Sequence, residues 1–360
     1  MLRIAFGIFV ALHGLIHLMG FIKAFKLAEI NQLSQSISKP QGLAWLFVAL
    51  VFGLSISFFL FNKNWWWLIG FIAILFSQIL IVSSWQDAKF GTVANTIILL
   101  ICLIGFGGWK FDKMVRRELN SFLPQTSSET QTVPANSLSH LPKIVQLWLT
   151  RSNVVGQAKT KSVHLYQSGR MKTKPDSPWM KVKAEQWFTI PTPGFIWKAD
   201  VGEGSFIQFS GRDKFVNGKG NMLIKLFSLI PIVDEEGEKL DQGVMVRYLS
   251  EIIWFPSAAI NNYITWEEIT PLKVKAILTY DILSVSGIFT FNEQGQPISF
   301  QAQRFYDKTG ELETWFIGID ESNDKIFNEK SIPSKATVTW KLKNGDFTWY
   351  EVEIEELEQE

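Results

Sequence analysis

Cysteine is all but missing from this chain: Cys102 is the only one in 360 residues. That excludes an intramolecular disulfide and a cysteine metal cluster, and cysteine usage says nothing of the compartment. Histidine is scarce, with only His13, His17, His140 and His164. G-x-S-x-G, H-E-x-x-H and G-x-x-x-x-G-K-[ST] are all absent, so no nucleophile elbow, zinc-protease helix or phosphate loop is written in the sequence.

Charge is missing from four long apolar runs, residues 4–21, 42–61, 65–84 and 93–109, which hold no Asp, Glu, Lys or Arg. About 20 mainly apolar residues cross roughly 30 Å of hydrocarbon. Trp65, Trp66, Trp67, Trp85 and Trp109 flank the runs, where interfacial tryptophans prefer to sit. The pattern predicts four spans. The first run reads as a span rather than a cleaved signal, since only Arg3 precedes it and the bulky "MGFIKAFK" stands where a small-residue cleavage site would be.

Residues 1–109 carry six basic and two acidic side chains, a charge of +4; the rest carries 29 against 32, or −3. Nucleic-acid binding needs a concentrated basic surface, so no nucleic-acid partner is expected, whereas membrane lipids are. Four spans put both termini on one side. That side has Arg3, Lys63, Lys110, Lys113, Arg116 and Arg117, against Lys23, Lys26, Lys39 and Lys89 opposite. The bias predicts a multi-pass protein of the inner or cytoplasmic cell membrane with its C-terminal domain in the cytoplasm.

The predicted organisation is a four-span domain over 1–109, a basic juxtamembrane segment and linker over 110–142, and a β-rich domain over 143–360. "KFDKMVRREL" reads as a basic flank in reach of anionic lipid, and 120–142, rich in Ser, Thr, Gln and Pro, as a linker that contains a solvated His140. After a short helix at "PKIVQLWLTRS" the period falls to two. "KVKAILTY", "TVTWKL" and "YEVEIEELE" alternate apolar with polar side chains, the mark of half-buried strands. Asn217-Gly218 and Asn344-Gly345 suit two-residue hairpins. About ten strands without a βαβ rhythm predict an antiparallel sheet.

One helix interrupts the strands at "LDQGVMVRYLSEIIWFP". Asp241 reads as its N-cap, with Leu240 and Met245 as a hydrophobic staple, and Pro256 as its end. The fold class is therefore an α+β membrane protein: a four-helix transmembrane bundle, then a curved antiparallel sheet or half-barrel with one main helix. Such a concavity suits an apolar ligand. The rings of Phe195, Trp197, Phe206, Phe209 and Phe215 would either line it or fill it.

"SNVVG", "AEQWFTIPTPGFIW", "GRDKFVNGKGNM", "DQGVMVRYLSEIIWFPSA" and "QAQRFYD", in that order and spacing, resemble an uncharacterised bacterial family, the domain of unknown function numbered 6544. The resemblance covers about residues 140–358, leaves the spans outside, and implies a shared domain without assigning an activity. The inferred half-barrel is also similar, by fold analogy alone, to LolA-type lipid carriers.

His13 and His17 in "LHGLIHLMGF" are four apart, hence one above the other on a helix. The other spans hold no histidine or carboxylate, so one chain cannot complete a bis-histidine haem or a carboxylate-assisted metal site. Ser55, Ser57, Ser77, Gln78, Ser83, Asn95 and Thr96 can bond a neutral imidazole across helices. A polar packing seam, a small-ligand or quinone contact, and a metal or haem shared between protomers stay open, and no cofactor is expected. In the β domain, Arg212, Asp213, Arg247, Glu251, Trp254 and Arg304 are the candidate ligand-binding residues, with Asp241 and Glu185 as further charged groups. His164 on "SVHLYQSG" is expected on the wet face, out of reach of a Ser-His-Asp arrangement. Two functions follow: a membrane-anchored binding protein for a lipid-like or other apolar ligand, or a membrane-associated hydrolase or transferase with a carboxylate and arginine pocket.

Overall fold

Each uncharged run becomes a helix. The structure is a computed structural model that describes residues 2–123 and 132–360. Its first helices are α1 (Leu2–Ala24), α2 (Lys39–Leu60), α3 (Trp66–Ser83), the short α4 (Trp85–Ala88) and α5 (Gly91–Phe122). Four of them, all but α4, are long and apolar enough to cross a membrane. Ser38 starts α2 with a capping box, its hydroxyl accepting from the Gln41 N–H while the Gln41 side chain reaches back to the Ser38 N–H. Small residues let α1 and α2 approach closely, as is usual where lipid supplies no hydrophobic drive. A Cβ on Gly20 would stand 2.4 Å from the Trp45 ring, and one on Gly42 would stand 2.3 Å from Ala24 Cβ.

The chain divides into two compact units, Met1–Met114 with Phe227–Leu229, and Val115–Leu226 with Ile230–Glu360. α5 runs on through the segment read as a basic flank. Phe111, Val115 and Leu119 are buried four residues apart, so the helical period continues beneath the charges. Of the predicted linker, residues 124–131 lie outside the described residues. Val133, Leu138 and Leu141 beyond it are buried and join the core of the β unit ahead of α6 (Lys143–Arg151).

Alternating sequence then gives β1 (Ser162–Met171), β2 (Met180–Thr189), β3 (Gly194–Val201), β4 (Phe209–Val216), β5 (Lys219–Leu226) and β6 (Ile230–Glu236). After α7 (Glu238–Glu251) come β7 (Ile264–Thr270), β8 (Lys273–Tyr280), β9 (Leu283–Phe291), β10 (Pro297–Phe305) and β11 (Leu312–Ile319). The last four are β12 (Asp324–Phe327), β13 (Lys330–Pro333), β14 (Lys335–Leu342) and β15 (Gly345–Gln359). Thirteen strands form one curled antiparallel half-barrel in the order β6-β5-β4-β3-β2-β1-β15-β14-β11-β10-β9-β8-β7, and β12 and β13 pair separately. The expected hairpin turn forms at Asn217-Gly218, both at positive φ; between β14 and β15 the turn falls one residue earlier than expected, at Lys343-Asn344, because Gly345 already pairs with Leu342.

α7 lies against the inner face. It begins at Glu238 behind Gly237, whose φ is +123°, so Asp241 is not its N-cap. Its carboxylate instead accepts from tertiary partners on β5, the Gly220 N–H (2.6 Å) and Lys219 Nζ (2.9 Å). The helix tightens into a 3-10 turn at Ile252–Trp254, and Pro256 opens another, Pro256–Ile260, rather than ending α7. The rings expected to line or fill the concavity mostly fill it. Phe188, Phe195, Phe215, Tyr248 and Phe255 are fully buried and pack ring against ring, each burial contributing about 2–3 kcal/mol. Phe206 stands outside, 84% exposed.

Candidate functional site

Alternation on β4 sends Asp213 inward and its neighbour Arg212 to the opposite face of the sheet. Spacing on α7 sends Arg247 and Glu251 to one side. Arg247 Nη1 lies 2.9 Å from Asp213 Oδ2 and its Nε 2.9 Å from Glu251 Oε1, with side chains only 8–13% exposed. The sheet extends this triad. Gln186 Nε2 donates to Glu251 Oε2 (2.8 Å), Gln167 Nε2 to Gln186 Oε1 (3.0 Å), and Trp197 Nε1 to Gln167 Oε1 (3.0 Å). The Arg247 guanidinium also lies 4.9 Å and 4.8 Å from the Phe195 and Trp197 ring centres. Burial pushes the Asp213 and Glu251 carboxyls above their ordinary range, against the pull of Arg247. Burial also opposes the Arg247 charge, but Glu251 and Asp213 outweigh it and hold that group above the usual arginine value. The arrangement is a closed polar spine across β1 to β4 and α7, with both carboxylates taken up by one arginine.

Of the six candidates from the sequence, three converge, Asp213, Arg247 and Glu251, while Arg304 lines a separate pocket. Arg212 pairs instead with Glu118 (3.0 Å) and donates to the Asn221 carbonyl (3.0 Å). Trp254 is buried in the core, and its Nε1 has no hydrogen-bond partner among the described residues. His164 sits on the wet face of β1, stacked on Trp187 at 4.5 Å between Glu185 (3.3 Å) and Glu358 (3.4 Å). Gln167 and Gln186 escaped the sequence reading, and Trp197 was read there only as a ring of the concavity. Their signal was a polar atom at an inward position of an otherwise apolar alternation.

Arg304 belongs to a different feature. The ladder between β9 and β10 ends at Gln301↔Ile288. Beyond it β9 continues to pair with β8, and β10 with β11, so the sheet forks. The fork starts where Phe300 lays its ring over Gly287: a Cβ there would lie 2.1 Å from Phe300 Cζ. α7 backs the gap, leaving a pocket of about 230 Å³ lined by Gln242, Gly243 and Val246 of α7, Val285 and Ser286 of β9, Gln303, Arg304 and Phe305 of β10, and Leu312. The Arg304 guanidinium faces the Trp315 ring at 5.0 Å. A separate groove of about 760 Å³ is lined by opposite charges that pair among themselves, such as Arg170 with Glu351 (2.5 Å) and Lys183 with Glu203 (2.7 Å).

Between the spans, His13 and His17 meet the partners the sequence offered. His17 Nδ1 lies 2.9 Å from the His13 carbonyl, which can only accept, so Nδ1 carries the proton and Nε2 accepts from Ser77 Oγ (2.8 Å). Ser77 then accepts from Asn95 Nδ2 (3.0 Å), and His13 Nε2–H donates to Asn95 Oδ1 (2.9 Å). The second Asn95 amide hydrogen goes to Gln78 Oε1 (3.0 Å). Among the described residues no group of three or more His, Cys, Asp or Glu is placed to hold a metal ion. Replacing both histidines with Gln keeps hydrogen-bonding capacity and is expected to leave thermal stability in detergent near wild type. Replacing both with Leu should cost about 1 kcal/mol, since such bonds average about 0.6. A stoichiometric metal signal or a Soret band that disappears with the histidines would contradict this role.

These features define an antiparallel half-barrel with an inward helix and a forked ladder, in a chain that also has four helices long and apolar enough to cross a membrane. The chain belongs to a family of unknown function (DUF6544), whose model matches residues 131–352. No curated protein matches it significantly. Among solved structures it is similar to a domain from Vibrio parahaemolyticus described as an outer membrane lipoprotein-sorting protein, at 10% identity and a TM-score of 0.33, covering 56% of this chain and 86% of that one. It is also similar to a DUF1329 family protein from Desulfovibrio piger, at 6% identity and a TM-score of 0.35, covering 64% of this chain and 94% of that one. At those scores neither likeness bears on what this chain binds.

Proposed function

We propose that this protein is a membrane-tethered binding module whose half-barrel takes up a lipid-like, amphipathic ligand at the fork between β9 and β10. One observation supports this most. The inner face is packed solid under α7 at its aromatic rings, whereas the fork opens a pocket backed by the buried Val246 of α7, with an apolar lip of Val285, Phe305 and Leu312. Leu312 is 53% exposed, and the four apolar helices would keep the domain beside its ligand's source. The test is native mass spectrometry of the detergent-extracted full chain, with lipid analysis of what co-purifies. A retained amphipathic species, lost when Val285→Trp fills the slit, is the expected result. A wild-type protein that retains none would overturn the reading.

The basic bias places the half-barrel in the cytoplasm in this reading. Reporter fusions after residues 30, 63, 88 and 360 are expected to read outside, inside, outside and inside. An outside signal at residue 360 would reverse the orientation and leave the span count intact.

A further inference from the structure

We propose that the fork pocket binds an anionic head group, a carboxylate or a phosphate, with Arg304 as its counter-charge; this rests on the reading of the pocket as the ligand site. Three arginines surround the α7–sheet contact, and two have acceptors: Arg247 has Asp213 and Glu251, and Arg212 has Glu118 and Asn221. Arg304, half-buried, has no hydrogen-bond acceptor or ion-pair partner within 4.0 Å among the described residues. A guanidinium carries five N–H donors, and leaving charged donors unmatched away from bulk water is costly. Burial and the neighbouring Arg247 oppose the Arg304 charge, whereas Asp307, ahead of Asp213 and Glu251, favours it from a distance, which explains why a second cation is tolerated there. These carboxylates do not satisfy its donors, because among the described residues none lies within 4.0 Å of the Arg304 guanidinium nitrogens.

The group is also held in position. A glycine inside a helix costs about 1 kcal/mol relative to alanine, yet Gly243 stands in the first half of α7. A Cβ at that position would lie 3.0 Å from Arg304 Nε and 3.4 Å from Nη2. The glycine lets the guanidinium lie against the helix while Trp315 covers another side. A fixed planar fork of donors suits a carboxylate or a phosphate. Gln242, Ser286 and Gln303 add polar atoms to the lining. Past Gln301↔Ile288 the facing edges of β9 and β10 no longer bond each other, so backbone groups border the same space. Polar lining with an apolar lip fits a head held inside and a tail leaving past Leu312.

Binding of octanoate, octyl phosphate, octanol and inorganic phosphate to the full chain in a neutral detergent, read by calorimetry, tests this. Octanoate and octyl phosphate are expected to bind about 10-fold to 100-fold more tightly than octanol, the range a charge-assisted bond supplies. Arg304→Gln should level the three tailed probes, and Arg304→Lys should restore part of the preference. The acid-to-alcohol ratio is unaffected by any fraction of a variant that fails to fold. Inorganic phosphate binding as tightly as octyl phosphate would support the anion site but assign it to the free ion, overturning the lipid-like ligand. Equal binding of octanol and octanoate, or an acid preference that survives Arg304→Gln, would overturn the anion inference and leave the pocket reading intact. No binding of any probe would overturn both.

Discussion

Arg247→Met is expected to lower the stability of the folded β unit by about 4 kcal/mol, the usual cost of removing one partner from a buried ion pair. For a unit of this size that corresponds to a melting temperature roughly 10 °C lower, read by circular dichroism of the full chain in detergent. The cause is what remains: Asp213 and Glu251, both held by Arg247 in the wild type, become two buried carboxylates without a counter-charge between them. The pH dependence identifies this mechanism. Burial already holds both carboxyls above their unfolded values, so they contribute stability below the ordinary carboxylate range that is lost as pH rises through their raised values. Without Arg247 those values rise further, and the variant should lose stability with rising pH more steeply than wild type. Adding Asp213→Asn and Glu251→Gln should recover most of the loss. A flat pH profile, or no recovery in the triple variant, would show that packing against Phe195 and Trp197 dominates instead.

Gly287→Val should cost about 3 kcal/mol, at the upper end for overpacking a filled core. Its first new atom would lie 2.1 Å from Phe300, a ring that is fully buried and packed on Phe289 at 4.7 Å, so the ring cannot swing away. Phe300→Leu alone should also destabilise, by leaving a void. The double variant should be more stable than the sum of the two losses allows, because the smaller side chain makes room for the valine. Strictly additive losses would mean that Gly287 and Phe300 are not coupled, and that the fork has another origin. Chemical denaturation of the three variants measures the coupling.

Much of the fold was legible because its physics is local. An uncharged run of span length has few other uses, and two-residue alternation identifies strands whatever their order. What was not legible depends on distant partners. Asp241 has the chemistry of an N-cap, but the backbone N–H of Gly220 competes for it, and the helix starts three residues earlier behind a glycine. The extension of α5 was visible in Phe111, Val115 and Leu119, four residues apart, although the charges around them masked it. The short β12 and β13, four residues each, are too brief for alternation to register. At the candidate site, period two already implied that Arg212 and Asp213 face opposite ways, but not which one faces inward. Arg247 and Glu251 were readable as a helical pair, whereas the link through Gln186 and Gln167 to Trp197 exists only once β1, β2 and β3 lie side by side.

The order of strands has a consequence for biosynthesis. β1 lies in the middle of the sheet, between β2 and β15, and Val163 pairs with Gln359. A ribosome adding about 5–20 residues per second needs on the order of ten seconds or more to supply that partner after β1 emerges. Throughout that interval β1 to β6 can form a meander, but one whose β1 edge is unpaired and open to mispairing with neighbouring nascent chains. β15 is therefore a late-arriving clasp, and stalled or shortened translation products that lack it should be the aggregation-prone and protease-sensitive species of this protein.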